Sequence, residues 1–268
     1  IAGLVKGAYK GDGLGNQFLS HIRETQAIVV VLRVFQNAEI IHIEESVDPL
    51  RDLEIINSEL IFKDLEVVEK RMKKAESESK TGSKETFSLV DALRKAREVL
   101  ERGAPLFALT ANDKYANMLE NVGLMELNLL TAKKQIYLLN GKEEDVNETL
   151  KNKIKELKGD YVIADLASAE SVPQLIKKAY EILVLISFFT TGEDETRAWT
   201  IRRGTIAPQA TGVIHTDFEK KFIRAEVIGW QKLLETGGWV QAKQKGLIRL
   251  EGKEYIIKDG DVIVVRHG

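Results

Sequence analysis

Three short stretches carry residue types whose spacing could do chemistry. The chain opens IAGLVKGAYKGDGLGNQF, which sets Gly3, Gly7, Gly11, Gly13 and Gly15 just ahead of a helix-like run. Glycines at that density let backbone N–H groups turn toward an anion, and a helix starting behind them adds its positive end. A full phosphate grip also needs G-x-x-x-x-G-K-[ST], whose lysine reaches the phosphates and whose hydroxyl binds magnesium. That pattern does not occur; the nearest text, KTGSK (80–84), lacks the first glycine. The second stretch is KQIYLLNGKEED, an apolar run ending in Asn140-Gly141-Lys142-Glu143. On its own, Asn-Gly after a strand reads as an ordinary turn. The third is HTDFEKKFIRAEV, with His215 and Asp217 near Lys220, Lys221 and Arg224. Its cations suit the phosphates of RNA, and the same residues read equally well as a helix start, with an acid near its N-terminus, running into a strand.

The elements that must position these groups follow from periodicity. QFLSHIRET reads as a short helix and AIVVVLRVF as a strand; its aliphatic, β-branched run 28–34 predicts burial on both faces of a parallel sheet. Asp48-Pro49 is a helix-entry signal. Beyond it Leu53, Ile56, Leu60 and Val67 recur at helical spacing, SESKTGSK (77–84) is a polar turn, and Leu89, Leu93, Ala96 and Leu100 repeat the pattern. Two long amphipathic helices joined by a polar turn predict an antiparallel hairpin with solvated charges on its outer face. From Ala132 strand and helix alternate again: KQIYLLN, the helix EDVNETLKNKIKEL, DYVIADL, and the helix VPQLIKKAYEIL. The hairpin is therefore expected as an insertion in an α/β domain. The last eighty or so residues are short strands with Gly-Asp and Asp-Gly turns, interrupted chiefly by GWQKLLETGG and WVQAKQKG, which predicts a small α+β module.

Composition narrows the function classes. With 268 residues, 44% hydrophobic and 30% charged, the chain can build a real core. It holds no run of eighteen apolar residues and no secretion signal, so no membrane partner and a cytoplasmic location are expected. Cysteine is absent, which excludes disulfides, thiolate metal sites, a cysteine nucleophile and regulation by cysteine oxidation. Residues 48–130 hold 13 basic and 16 acidic side chains, and residues 187–268 hold 13 basic and 11 acidic. The asymmetry points to the C-terminal part as the better RNA surface; no DNA partner is expected.

The blocks IAGLVKGAYKGDGLGNQFLSHIRETQAIVVVLRVF, IIHIEESVDPLRDLEIINSEL, LTAKKQIYLLN, TGEDETRAWTIRRGTIAPQATGVIHTDFEKKFIRAEVI and EGKEYIIKDGDVIVV together resemble the YchF family of Obg-like ATPases, and the resemblance covers nearly the whole chain. It implies an α/β P-loop G domain with an inserted α-helical hairpin, followed by a β-grasp-like α+β TGS domain. The boundaries expected are 1–47 for the first part of the G domain from switch II onward, 48–130 for the helical, coiled-coil insertion, 131–185 for the second part of the G domain, and 186–268 for the TGS domain. It also implies that the strand, P-loop and switch I preceding Ile1 are missing, so that this chain alone is expected to be inactive and to carry no metal ligand; magnesium would arrive with ATP through the missing part.

Site residues carry over one at a time. Gly3 matches the switch II glycine whose amide senses the γ-phosphate. Leu4 stands where most translational GTPases have the glutamine that orients the attacking water. Leucine cannot hydrogen-bond water, and the family assigns that task to a histidine in the loop after the next strand, here His42, whose imidazole both donates and accepts near neutral pH. Asn140, Gly141 and Glu143 match the family's altered base motif, N-x-x-E in place of N-K-x-D, which goes with ATP in preference to GTP. Glu144 and Asp145 follow at once, so the register of the acid stays open by one position. LASAESVP (166–173) is a shortened form of the family's base-side loop, and Ser168-Ala169 matches it only weakly. The function implied is a ribosome-associated nucleotidase whose partners are ATP, GTP more weakly, and the ribosome or its RNA. The loop Val5 to Asn16 is expected to respond to the nucleotide. A non-catalytic ribosome-binding or protein-binding module and a true GTPase stay open beside it. His21 and His267 receive no functional role.

Overall fold

The computed structural model describes residues 14–37, 39–40, 46–79, 83–109, 115–168, 171–192 and 195–268. Gly3, Leu4, His42 and Ala169 lie outside the described residues, as does the loop Val5 to Asn16 but for its last three positions. The architecture is mixed α/β, divided into two compact units, Ile1–Ala179 and Tyr180–Gly268.

In the first unit, α1 (Leu14–Glu24) leads into β1 (Ala27–Arg33). Asp48 then starts α2 (Pro49–Ser79), its carboxylate accepting from the amides of Leu50 and Arg51 at 3.1 Å each. The cap satisfies two of the helix's free N–H groups, and Pro49 occupies the first turn, where a missing N–H costs nothing. The return helix α3 (Lys84–Glu101) starts earlier than its apolar pattern alone suggests, and α4 (Val122–Met125) is a single turn capped by Asn121. The chain re-enters the sheet as β2 (Lys134–Asn140), followed by α5 (Glu148–Glu156), β3 (Asp160–Ala164) and α6 (Ser171–Ile182). The segment expected to form one helix from Glu144 is shorter: a 3-10 turn at 143–145 precedes α5, whose start is fixed by the Asn147 side chain accepting from Leu150 N.

The three strands form one parallel sheet in the order β1-β2-β3. Ile28, Val30 and Leu32 pack on one face with Tyr137 and Leu139 of β2 and with Leu53 and Leu60 of α2. The hairpin has its own core, in which Val68, Met72 and Ala75 meet Leu89, Leu93, Ala96 and Leu100. Thus Leu53 and Leu60 face the sheet rather than the partner helix, and Val68 is the fully buried member of the pair where the spacing pointed to Val67. The expectation that β1 is buried on both faces is corrected: Val29 and Val31 are 37% and 49% exposed. Among the described residues β1 is at the border of the sheet and no element covers its second face, whereas the central strand β2 is buried on both.

The second unit is a five-stranded mixed sheet in the order β5-β4-β8-β6-β7. Its elements are β4 (Leu185–Thr191), β5 (Thr196–Arg202), α7 (Ala207–Gly212), α8 (Thr216–Lys220), β6 (Phe222–Gly229), α9 (Trp230–Thr236), α10 (Trp239–Gln244), β7 (Arg249–Glu251) and β8 (Asp261–His267). β4 runs parallel to β8 and antiparallel to β5, while β6 is antiparallel to both β7 and β8. Ile186, Phe188, Ile201, Val227 and Ile263 fill one face, with Ala207 and Ala210 of α7 against them. The short helix α7 was not apparent from periodicity, being too brief to repeat an apolar spacing, whereas α8, with Asp217 in its first turn, runs into β6 as one reading of HTDFEKKFIRAEV expected.

Candidate functional site

Parallel strands aligned in register bring their carboxyl ends to one edge, and in open α/β sheets ligands bind in the crevice outside that edge. Here the last residues of the three strands are direct neighbours: Arg33 of β1 pairs with Asn140 of β2, and Asn140 with Ala164 of β3. The ladder runs one step further, with Val34 N donating to Asn140 O at 3.0 Å and Gly141 N to Ala164 O at 3.3 Å. Three loops therefore leave side by side, the first beginning at Val34, the second carrying Gly141 to Asp145, and the third carrying residues 165–168.

Asn140 is the hub of this edge. Its Oδ1 accepts from Leu166 N at 3.0 Å, so the amide is tied to the loop after β3 and its orientation is fixed. Asp165 shapes the same loop, its Oδ1 accepting from Ala167 N at 2.9 Å. Gly141 has φ +153°, and a Cβ there would lie 2.6 Å from Val34 Cγ2 and 3.1 Å from Asp145 Oδ2. The turn thus requires glycine on two grounds, conformation and close approach.

The acidic residues of this turn take different directions. Asp145 turns back and accepts from Lys142 N at 2.9 Å, which closes the 3-10 turn. Glu143 projects outward, 69% exposed, with Oε1 held 2.7 Å from Lys151 Nζ; Glu148 approaches the same ammonium at 3.1 Å. Hydrogen bonds from Lys151 to Glu143 first and Glu148 second hold that ammonium well above the usual lysine range. Glu143 therefore pairs away from its own turn where Asp145 closes it, and Glu144 is exposed as well.

In the second unit His215 caps α8, its Nδ1 accepting from Asp217 N at 3.2 Å, and its ring lies 5.9 Å from that of Phe218. Phe218 in turn stacks on His267 at 4.6 Å. Lys220 and Lys221, at the end of α8, and Arg224, at the start of β6, are exposed. Arg224 is paired across the sheet with Arg266, whose guanidinium binds Glu226 at 3.0 Å and 3.1 Å. His215 therefore has a structural task, and the three cations are exposed on the stretch of chain that follows it.

Sequence reasoning placed Asn140, Gly141 and Glu143 on one turn, and they are together. It missed the Leu166 amide and the row-mate Arg33; an Asp immediately after a strand, as at Asp165, was the one local signal for the former.

Comparison with known proteins gives the following. Residues 185–268 match the family model YchF-GTPase_C, described as a protein of unknown function (DUF933). The chain is 40% identical over 296 residues to the ribosome-binding ATPase YchF of Bacillus subtilis, spanning 99% of this chain and 80% of the relative. It is 39% identical over 303 residues to Obg-like ATPase 1 of Saccharomyces cerevisiae, spanning 100% of this chain and 76% of the relative. Among solved structures, that of the Schizosaccharomyces pombe YchF GTPase superposes with a TM-score of 0.78 at 37% identity, covering 99% of this chain and 78% of that one.

Proposed function

Since the chain belongs to the YchF family of Obg-like ATPases, we propose that it is a ribosome-binding nucleotidase that binds and hydrolyses ATP in preference to GTP and whose nucleotide state switches its hold on the ribosome. The first unit is the G domain with its hairpin, the second a TGS domain of β-grasp type, and the protein works in the cytoplasm. The base lies at the edge formed by Asn140, Gly141 and the loop after Ala164.

The observation that carries the ATP preference is the engagement of Glu143. A guanine reader needs a carboxylate free to accept from both the ring N–H and the exocyclic amine. Here the carboxylate at that position is held 2.7 Å from Lys151, and adenine offers no ring N–H for it to accept. Asn140, fixed by the Leu166 amide, and the backbone at Gly141 then supply the contacts to adenine. Hydrolysis would be a matter of positioning and electrostatics, with Gly3 sensing the γ-phosphate, Leu4 excluding water from the usual glutamine position, and His42 orienting the attacking water. Magnesium bound with ATP is the proposed cofactor. Among the described residues no group of three or more His, Asp or Glu could hold a metal ion, so no ligand is assigned to it and no step is derived through it. Lys220, Lys221 and Arg224 would meet ribosomal RNA phosphates. No described helix is long and apolar enough to cross a membrane.

The test is equilibrium binding of ATP and GTP, with magnesium, to the full-length protein and to its Lys151→Met variant. Wild type should bind ATP about ten-fold or more tightly than GTP, the size of one good base contact. Releasing Glu143 should narrow that ratio by strengthening GTP. Equal affinity in wild type, or a ratio indifferent to Lys151, would remove the reading.

A further inference from the structure

The sheet of the second unit has two borders, and they are built differently. β7 is three residues long, the short border strand with which proteins blunt an edge. β5 is seven residues long and pairs with β4 at every step from Thr196 to Arg202, with no bulge and no proline. The register continues one step beyond each end, with Gly192 N donating to Glu195 O at 2.9 Å and Arg203 N to Val184 O at 2.8 Å. Hydrogen-bonded pairs alternate along an antiparallel ladder, so the odd-numbered residues of β5 are the ones bonded to β4. The N–H and C=O groups of Thr196, Ala198 and Thr200 therefore point off the sheet, as does the N–H of Arg202, whose carbonyl is taken by Thr205. Among the described residues no strand pairs with this side, and Thr196, Ala198, Thr200 and Arg202 are exposed. Glu195, Arg197, Trp199, Ile201 and Arg203 share one face of the ladder, with an acid at one end, a base at the other and an indole between. Arg197 lies over the Trp199 ring at 4.3 Å, and Trp199 Nε1 donates to Thr190 Oγ1 at 2.9 Å, so the indole is held in place. Glu195 and Arg203 are exposed and form no ion pair among the described residues.

We propose that β5 pairs antiparallel with β5 of a second copy of this chain, about a two-fold axis at Trp199, joining the two sheets into one. In that register Ala198 and Thr200 exchange backbone hydrogen bonds with their counterparts, and the Arg202 N–H reaches the Thr196 carbonyl. The two Trp199 rings meet at the centre, Arg197 faces Ile201, and Glu195 faces Arg203 of the second copy at both ends. The charge order of the strand is thus its own complement when read antiparallel, which points to a second copy rather than to a foreign segment. Neighbouring registers of the same hydrogen-bond phase lose this match: one opposes Arg197 to Arg203, and the other sets Glu195 against Ile201. A single strand pair buries less than the about 800 Å² per partner of a standard stable interface, so the dimer should be reversible and form at roughly tens of micromolar. The proposal does not depend on the nucleotide reading of the first unit.

The experiment is analytical ultracentrifugation of the full-length protein from about 1 to about 200 µM, with a melting curve for each variant. Wild type should pass from monomer to dimer across that range. Ala198→Pro removes an N–H that β4 does not use, which an edge strand tolerates, and dimerisation should be lost over the whole range. Glu195→Arg and Arg203→Glu each bring like charges together at both ends and should weaken self-association by about ten-fold. An equimolar mixture of those two variants restores both opposite-charge pairs, so it should associate as wild type does, and so should the double variant. A wild type that stays monomeric, or a dimer indifferent to Ala198→Pro, overturns the proposal. So does a mixture that associates no better than either charge variant alone, and this arm decides the matter even if Ala198→Pro does not fold.

Discussion

Asp64 in the first unit and Asp261 in the second are both buried, at 0% and 4% exposure, and both gather hydrogen bonds from backbone and side chains. They differ in reach. Asp64, on α2, accepts from Leu130 N at 2.9 Å, from Thr131 N at 2.7 Å, from Thr131 Oγ1 at 2.8 Å, and from Arg23 Nη1 at 3.2 Å. These partners sit 66, 67 and 41 positions away in the chain. Asp261 accepts from Lys258 N at 2.9 Å, Tyr255 OH at 2.7 Å and Arg249 Nη2 at 3.4 Å, none more than 12 positions away. One aspartate therefore fastens the helix after the glycine-rich loop, the root of the hairpin and the lead-in to β2 to a single point. The other closes the one turn before β8, the central strand of its sheet. Burial pushes the Asp64 carboxyl up, and the hydrogen bonds from Thr131 and Leu130, with the Arg23 charge, work against that push. Arg23 donates also to Asn128 O, and Lys133 Nζ donates to Arg23 O and Thr25 O, so the long-range knot has a second layer of bonds.

The largest effect expected from this difference is on Asp64→Ala. Removing one partner of a buried ion pair, together with the acceptor of two amides and a hydroxyl, should lower unfolding stability by about 3 to 5 kcal/mol. Because the partners come from three separated stretches, hydrogen-exchange protection should fall throughout α1, α2 and the 130–131 turn together. Denaturant titration with exchange mass spectrometry reads both; protection lost only at 130–131 would show that Asp64 is as local as Asp261.

Asp261→Ala should cost less, about 1 to 3 kcal/mol for the donors left unpaired in a buried setting. Its exchange footprint should stay within 249–261, with β4 and β6 still protected. A footprint spreading across the five-stranded sheet would break the contrast from the other side.

The same contrast explains what could be read from the sequence. Asp48-Pro49 and the Lys258-Asp259-Gly260-Asp261 turn were legible because the groups they serve lie within three residues, and local chemistry announces itself locally. Asp64 reads in sequence as one more charge on a solvated helix face; nothing near it signals that an amide 66 residues on will reach it. Val29 and Val31 failed for a related reason, since an aliphatic run states that a strand can be buried on both faces but not whether anything covers the second. At the candidate site, the position of Asn140 at a strand end was legible, while its tether to Leu166 needed the β2–β3 pairing. That Asp145 closes the turn while Glu143 reaches Lys151 is a matter of side-chain direction, which no spacing rule contains.

The smallest effect expected is a titration. Burial, then the hydrogen bond and charge of Asp261, push the Tyr255 phenol up from 10.0 to about 12. In the interval from about pH 10 to about pH 12 the unfolded chain has given up a Tyr255 proton that the folded chain retains. The folded state binds more protons there, so its stability is undiminished below pH 10 and falls as the pH rises toward 12. Tyr255 is only half-buried and solvent screens its share, which keeps the slope shallow. Tyr137, fully buried in the first unit and donating to Gln135 Oε1 at 2.9 Å, is likewise pushed up to about 12 by burial, so it adds a slope of the same sign that does not pass through Asp64. Thermal unfolding across that interval should therefore be compared among wild type, Tyr137→Phe, Tyr255→Phe and the double variant. Each single variant should flatten the decline by its own share and the double variant by both, the slope that remains belonging to other groups that titrate there, the raised Lys151 ammonium among them. If Tyr255→Phe leaves the slope untouched, Asp261 is held by Lys258 N and Arg249 alone, and the local knot is simpler than its distances imply.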